Sequence, residues 1–182
     1  LKVAVFLTAG YLVVEVAGGV VTGSLALIGD AGHMLGDVVA LLLALGALVI
    51  AERLPTKGKT FGYHRAEVFV AFINGIALVI LSAGILWEAA ARVFPPVPVG
   101  GAAMGVVGAV GLAVNLYVAW TLSGSENLTV RSAFLHVLAD TLTSVAVIAA
   151  AVWIALTGQT LVDPLLSGAI ALLILANAVF LL

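Results

Sequence analysis

Six runs of about twenty or more mostly apolar residues fill nearly the whole chain, at roughly 3–22, 25–51, 64–93, 101–122, 129–156 and 161–182. A helix needs about 20 such residues to cross about 30 Å of hydrocarbon. Lipid offers no partner to a bare peptide group, so a segment of this kind spans as a helix. The joins are too short for a folded soluble domain. Thr22–Gly23–Ser24 turns the first run into the second. Pro55 and Gly58 break helix in the second join, and Pro95, Pro96 and Pro98 in the third. Ser123–Leu128 and Thr157–Asp163 make the last two. The expected fold is an all-α membrane protein, a bundle of six transmembrane helices, with residues 1–182 as one domain.

Composition closes off the alternatives. Of 182 residues, 64% are hydrophobic and 9% charged, whereas a soluble domain carries about 25% charged residues. Seven basic and nine acidic side chains cannot wet the surface of a water-soluble globule this large. A soluble enzyme, a disordered chain and a nucleic-acid binder are excluded together, the last also by a net charge of −2. With no cysteine there are no disulfides, thiolate metal sites or cysteine nucleophiles. The first run is full length and has no small-residue cleavage site, so it does not read as a signal peptide. A start at Leu1 and an end within an apolar run at Leu182 read as a trimmed portion of a longer protein.

Basic residues set the orientation. Lys2, Arg53, Lys57, Lys59, Arg65 and Arg131 fall on one side of the membrane and Arg92 alone on the other. Both termini are therefore expected in the cytoplasm, in a multi-pass protein of the cell (inner) membrane. Gly18–Gly19 and Gly101, Gly105, Gly108 and Gly111 give bare helix faces suited to close packing in lipid. Trp87, Trp120 and Trp153 fall toward span ends, where indole sits well.

Ionisable groups inside spans are costly and persist where they pair or face the bundle interior. Here they are Glu15, Asp30, His33, Asp37, Glu67, Glu88, His136 and Asp140. Two clusters share one pattern, His33-Met-Leu-Gly-Asp37 in span two and His136-Val-Leu-Ala-Asp140 in span five. Residues four apart lean to one helix face and can reach a common ion. Shuffling three His and four Asp through 182 positions gives about 0.07 such pairs. His33 lies about eight residues into its span and His136 about seven into an antiparallel one, so both approach the midplane. Two imidazoles and two carboxylates form a tetrahedral N2O2 set suited to Zn²⁺, with Cd²⁺ and Co²⁺ as further candidates. Two ionised carboxylates would cancel the charge of a divalent ion. The other reading of the quartet is a pair of interhelical His–Asp salt bridges.

The remaining groups have more than one reading. Glu15 and Glu88 read as partners of buried polar groups or of Arg92, Glu88 being placed four residues before it. Asp30, one turn before His33, reads as an acceptor orienting that ring, as helix N-terminal charge or as part of an outer vestibule. His64 reads as a helix-start residue or as a weak capture site for an incoming ion.

These residues carry a resemblance. The chain is similar over essentially its whole length to the cation diffusion facilitator family of zinc exporters. The matching stretches are Ser24–Asp37, Phe61-Gly-Tyr-His64-Arg65-Ala-Glu67, Ala71-Phe-Ile-Asn74, His136-Val-Leu-Ala-Asp140 and Asp163-Pro164. The resemblance implies a six-span homodimer that exchanges zinc for protons and is not an enzyme. Its partners would be the bilayer, a divalent metal ion and protons, with zinc as cargo and no organic cofactor. It implies His33, Asp37, His136 and Asp140 as the transport site. Histidine at both first positions argues for zinc, since the manganese-type branch has Asp there. Tyr63 takes a position where some bacterial members carry a further ligand, and the family's cytoplasmic C-terminal domain lies outside this chain.

Ligand chemistry supplies the coupling. Zn²⁺ needs neutral imidazole and ionised carboxylate, so binding expels protons and acid favours release. Three rivals remain at this level: an intramembrane metal hydrolase, which would keep one position open for water; a structural or sensor protein that holds metal without flux; and a channel.

Overall fold

A computed structural model describes residues 2–51, 62–123 and 128–181. They form six helices and, among the described residues, no strand: α1 (Lys2–Thr22), α2 (Leu25–Ala51), α3 (Gly62–Val93), α4 (Gly101–Leu122), α5 (Leu128–Thr157) and α6 (Val162–Leu181). The all-α, six-helix expectation holds, and the helix ends fall close to the edges of the apolar runs. Five helices contain segments long and apolar enough to cross a membrane: Val3–Thr22, Phe72–Val93, Gly101–Leu122, Ala133–Thr157 and Val162–Val179. The sixth, α2, carries Asp30, His33 and Asp37.

Two corners turn on glycine. Gly23, after α1, has φ +71°, and Gly158, after α5, has φ +70°. L-residues with a Cβ rarely enter that left-handed region, so glycine ends a helix there at least cost. The Gly158 amide donates to the Ile154 carbonyl at 2.8 Å and closes the last turn of α5.

The helices pack as two groups. α4 lies closely along α5, and α1 lies against both α2 and α4. α3 lies closely along α6, and this pair flanks α2. Direct packing of α2 on α5 is sparse by comparison. Small residues explain the close α4–α5 approach. A Cβ at Gly101 would lie 2.8 Å from the Ala155 nitrogen and 3.0 Å from the Ala151 oxygen, and one at Gly108 would lie 3.1 Å from Ile148 Cγ1. In lipid, such contact is a main source of helix association, because tails are as apolar as leucine.

The buried core has three parts. Leu27, Met104, Val147, Ile154, Ile170 and Ile174 join α2, α4, α5 and α6. Ala4, Val118, Leu122 and Val137 join α1, α4 and α5. Leu25, Ile85, Ala89 and Ala171 join α2, α3 and α6. Phe6, Trp87, Trp120 and Leu156 face outward, as expected of side chains that meet lipid. Arg53, Lys57 and Lys59, which carry much of the orientation argument, lie outside the described residues, whereas Arg131 is exposed.

Candidate metal centre

α2 and α5 each deliver one turn of polar side chains to the bundle interior. The i, i+4 spacing stacks His33 over Asp37 and His136 over Asp140 on a single face of each helix. The four meet. One donor atom from each lies within 4.8 Å of all the others. The shortest approach is between helices, His136 Nε2 to Asp37 Oδ1 at 2.6 Å. His33 Nε2 lies 3.7 Å from Asp140 Oδ1 and 3.8 Å from Asp37 Oδ2. His136 Nε2 lies 3.9 Å from Asp140 Oδ2. The rings stand 5.7 Å apart between centroids, tilted 56° to each other.

These distances bear on the two readings of the quartet. A tetrahedron with metal–ligand bonds of about 2.1 Å has edges of about 3.4 Å. The shortest approaches, taken over both oxygens of each carboxylate, run from 2.6 to 3.9 Å, and one donor from each residue lies within 4.8 Å of the others, a spread somewhat wider than that edge. As hydrogen bonds, all but one are too long. Asp37 Oδ2 is buried with no hydrogen-bond partner among the described residues. Salt bridging would therefore satisfy one pair and leave a buried carboxylate oxygen unmet, a costly arrangement. A cation among the four would meet that oxygen. The side chains grade from Asp37, 8% exposed, to His136, 42% exposed, so the cluster is partly open at His136.

The neighbouring acids lie outside the quartet, although Glu15 Oε2, like Asp37 Oδ2, is buried with no hydrogen-bond partner among the described residues. Glu15 of α1 is 1% exposed. Its Oε1 accepts from the Tyr11 hydroxyl at 3.1 Å, and that hydroxyl also lies 3.1 Å from the Val107 carbonyl of α4. Asp30 of α2 is likewise buried. Among the described residues no hydrogen bond joins Asp30 to His33, so the ring-orienting reading of Asp30 gains no support. Glu88 pairs with Arg92 at 2.8 Å, as its spacing suggested. The side chains of His64 and Glu67 lie outside the described residues.

Sequence reasoning passed over Tyr11, although it stands four residues before Glu15, the spacing that exposed the His–Asp pairs. It also gave Asp163 no task beyond the family pattern. The Asp163 carboxylate binds Ser24 and the first amides of α2, a contact across 139 residues for Ser24 that no local spacing encodes.

Comparison with known proteins identifies the family. The family model for the cation efflux transmembrane domain matches residues 1–182. The chain is 46% identical over 181 residues to zinc transporter ZitB of Pectobacterium atrosepticum, covering 98% of this chain and 57% of that protein. It is 49% identical over 174 residues to zinc transporter ZitB of Escherichia coli, covering 94% and 56%. It is 44% identical over 181 residues to the cadmium, cobalt and zinc/H(+)-K(+) antiporter of Bacillus subtilis, covering 97% and 58%. The chain thus spans a little over half the length of these relatives. Six helices, an inward-facing His/Asp quartet and a match along every residue lead to one assignment: the chain belongs to the cation efflux family of membrane transporters and is not an enzyme.

Proposed function

We propose that this chain carries Zn²⁺ out of the cytoplasm across the cell membrane in exchange for protons, with His33, Asp37, His136 and Asp140 as the transport site. Cd²⁺ and Co²⁺ are further candidate cargoes. The observation that carries the reading is the convergence of four donor atoms within 4.8 Å from two facing helices. Names of relatives support the cargo, since those proteins are zinc transporters or a cadmium, cobalt and zinc antiporter. Two imidazole nitrogens favour a borderline ion over Mg²⁺ or Ca²⁺, which prefer oxygen. Two carboxylates neutralise the ion, which lowers the cost of holding it in a low-dielectric interior.

Coupling follows from competition between metal and protons for the same lone pairs. Facing the cytoplasm, neutral imidazoles and ionised carboxylates capture the ion. Facing a more acidic exterior, they take protons and release it. Rocking of one helix group against the other around a fixed site then converts a proton gradient into metal flux. Both termini stand in the cytoplasm, by the basic-residue asymmetry, and the working unit is a homodimer of the longer protein. Four protein ligands leave no coordination position for a water, which sets this site apart from a metal hydrolase. Proteoliposomes with an imposed pH gradient test the proposal. Zinc flux that follows the gradient and disappears in Asp140→Ala is expected. Flux that ignores the gradient, or survives that substitution, contradicts it.

A further inference from the structure

The corner between α1 and α2 is where the two helix groups are tied together. The Gly100 amide, just before α4, donates to the Thr22 carbonyl at 2.9 Å. Arg92 Nη1, at the end of α3, donates to the Gly23 carbonyl at 2.7 Å. Asp163, near the start of α6, receives three donors: the Ser24 hydroxyl at 2.6 Å, the Leu25 amide at 2.8 Å and the Ala26 amide at 3.3 Å. Ser24 and Asp163 are both 0% exposed.

The first amides of a helix have no acceptor within it. A side chain just upstream usually supplies one, and Ser24 does so for the Leu27 amide at 3.2 Å. The Leu25 and Ala26 amides are instead taken by a carboxylate from another helix. A buried carboxylate with three donors is held by charge-assisted bonds, and the positive end of the α2 dipole adds to them. The head of α2 is thereby fixed to the head of α6, directly after the Gly158 corner that ends α5. α2 and α5 pack only sparsely on each other. Asp163 therefore supplies a polar link from one ligand-bearing helix to the corner of the other. His33 lies eight residues beyond Leu25, about 12 Å along the helix, so a shift of the head is carried down to the ligands.

We propose that Asp163 is a positioning residue for the metal site: by capping α2 from α6 it sets where His33 and Asp37 stand relative to His136 and Asp140. The inference rests on the four-residue reading of the site. Cobalt(II) bound to the full-length protein in detergent is the probe, because tetrahedral Co²⁺ has strong visible bands that weaken as the geometry opens. Zinc affinity is read by competition, and folding by thermal melting. Asp163→Asn loses an acceptor for at least one donor. The expected result is a folded protein with weakened cobalt bands and zinc affinity lowered by about tenfold or more, the range for groups that orient ligands. Wild-type bands and affinity in folded Asp163→Asn overturn the proposal, whatever happens to the melting temperature. Should Asp163→Asn fail to fold, Ser24→Ala decides. It removes the hydroxyl donated to Asp163 together with the acceptor of the Leu27 amide, and leaves the two amide bonds to Asp163. A shift in the same direction supports the proposal, and unchanged bands and affinity overturn it. Asp37→Ala separates the two claims. Loss of the bands in that variant places the metal in the quartet, and their persistence overturns both the site and the positioning role.

Discussion

Asp37 lies closer to His136 on the opposite helix, at 2.6 Å, than to His33 on its own, at 3.8 Å. The tightest contact in the quartet thus crosses between α2 and α5, so neither His–Asp pair acts as a separate unit. Removing any one member should disable the whole. Asp37→Ala is expected to lower zinc affinity by more than about 100-fold, beyond the effect of losing an orienting group. On the proposed reading, in which the four donors share one ion, Asp37→Ala and His136→Ala should be strongly non-additive. Isothermal titration on the two single variants and the double variant checks this.

Acid should weaken metal binding. Imidazole and carboxylate both accept protons in place of the ion, so affinity falls as pH falls, and each ion bound displaces protons. Calorimetry in buffers of different ionisation enthalpy should show proton release on binding at neutral pH. Asp140→Asn, which removes one titrating ligand, should bind more weakly and release fewer protons. Equal heats in every buffer would argue against this coupling.

Gly111 of α4 gives up its side-chain space to Tyr11 of α1. A Cβ there would collide with the Tyr11 ring and hydroxyl. Gly111→Ala should therefore cost about 1–3 kcal/mol, the usual range for overpacking. The cost should shrink in a Tyr11→Ala background, where the colliding ring is gone. Thermal melting of the two single variants and the double variant in detergent measures the coupling. Additive losses would mean that α1 and α4 do not meet as described.

Arg92 and Glu88 should differ in importance although they pair at 2.8 Å. The Glu88 side chain is 47% exposed, and half-exposed ion pairs contribute little, so Glu88→Gln should change stability by less than about 1 kcal/mol. Arg92 also donates to the Gly23 carbonyl at 2.7 Å. Arg92→Ala removes that charged donor and should cost about 1–3 kcal/mol. Melting temperatures of the two variants compare them directly.

How much the sequence revealed depended on the range of each signal. Apolar runs announce spanning helices because lipid length and backbone satisfaction leave few other solutions. The His–Asp pairs were legible because a 3.6-residue turn converts a spacing of four into one face. Their facing one another also had support, from the depth of His33 and His136 in antiparallel spans. The 2.6 Å contact of Asp37 with His136 rather than with its own helix did not, since spacing along one helix says nothing about register between two. Asp163 marks the limit most clearly. Its donors stand up to 139 residues away, and a short polar residue at a helix start reads locally as an ordinary cap. Glu15 was legible as a buried acid in need of a partner, and Tyr11 stood within reach of the same spacing rule.

X-ray absorption at the zinc edge of the metal-loaded protein tests the central claim most directly. The expected first shell is two imidazole nitrogens and two oxygens at about 2.0–2.2 Å, with the imidazole contribution lost together with the bound metal in His33→Ala and His136→Ala. A shell of six oxygens without imidazole, or one unchanged by those substitutions, would contradict it.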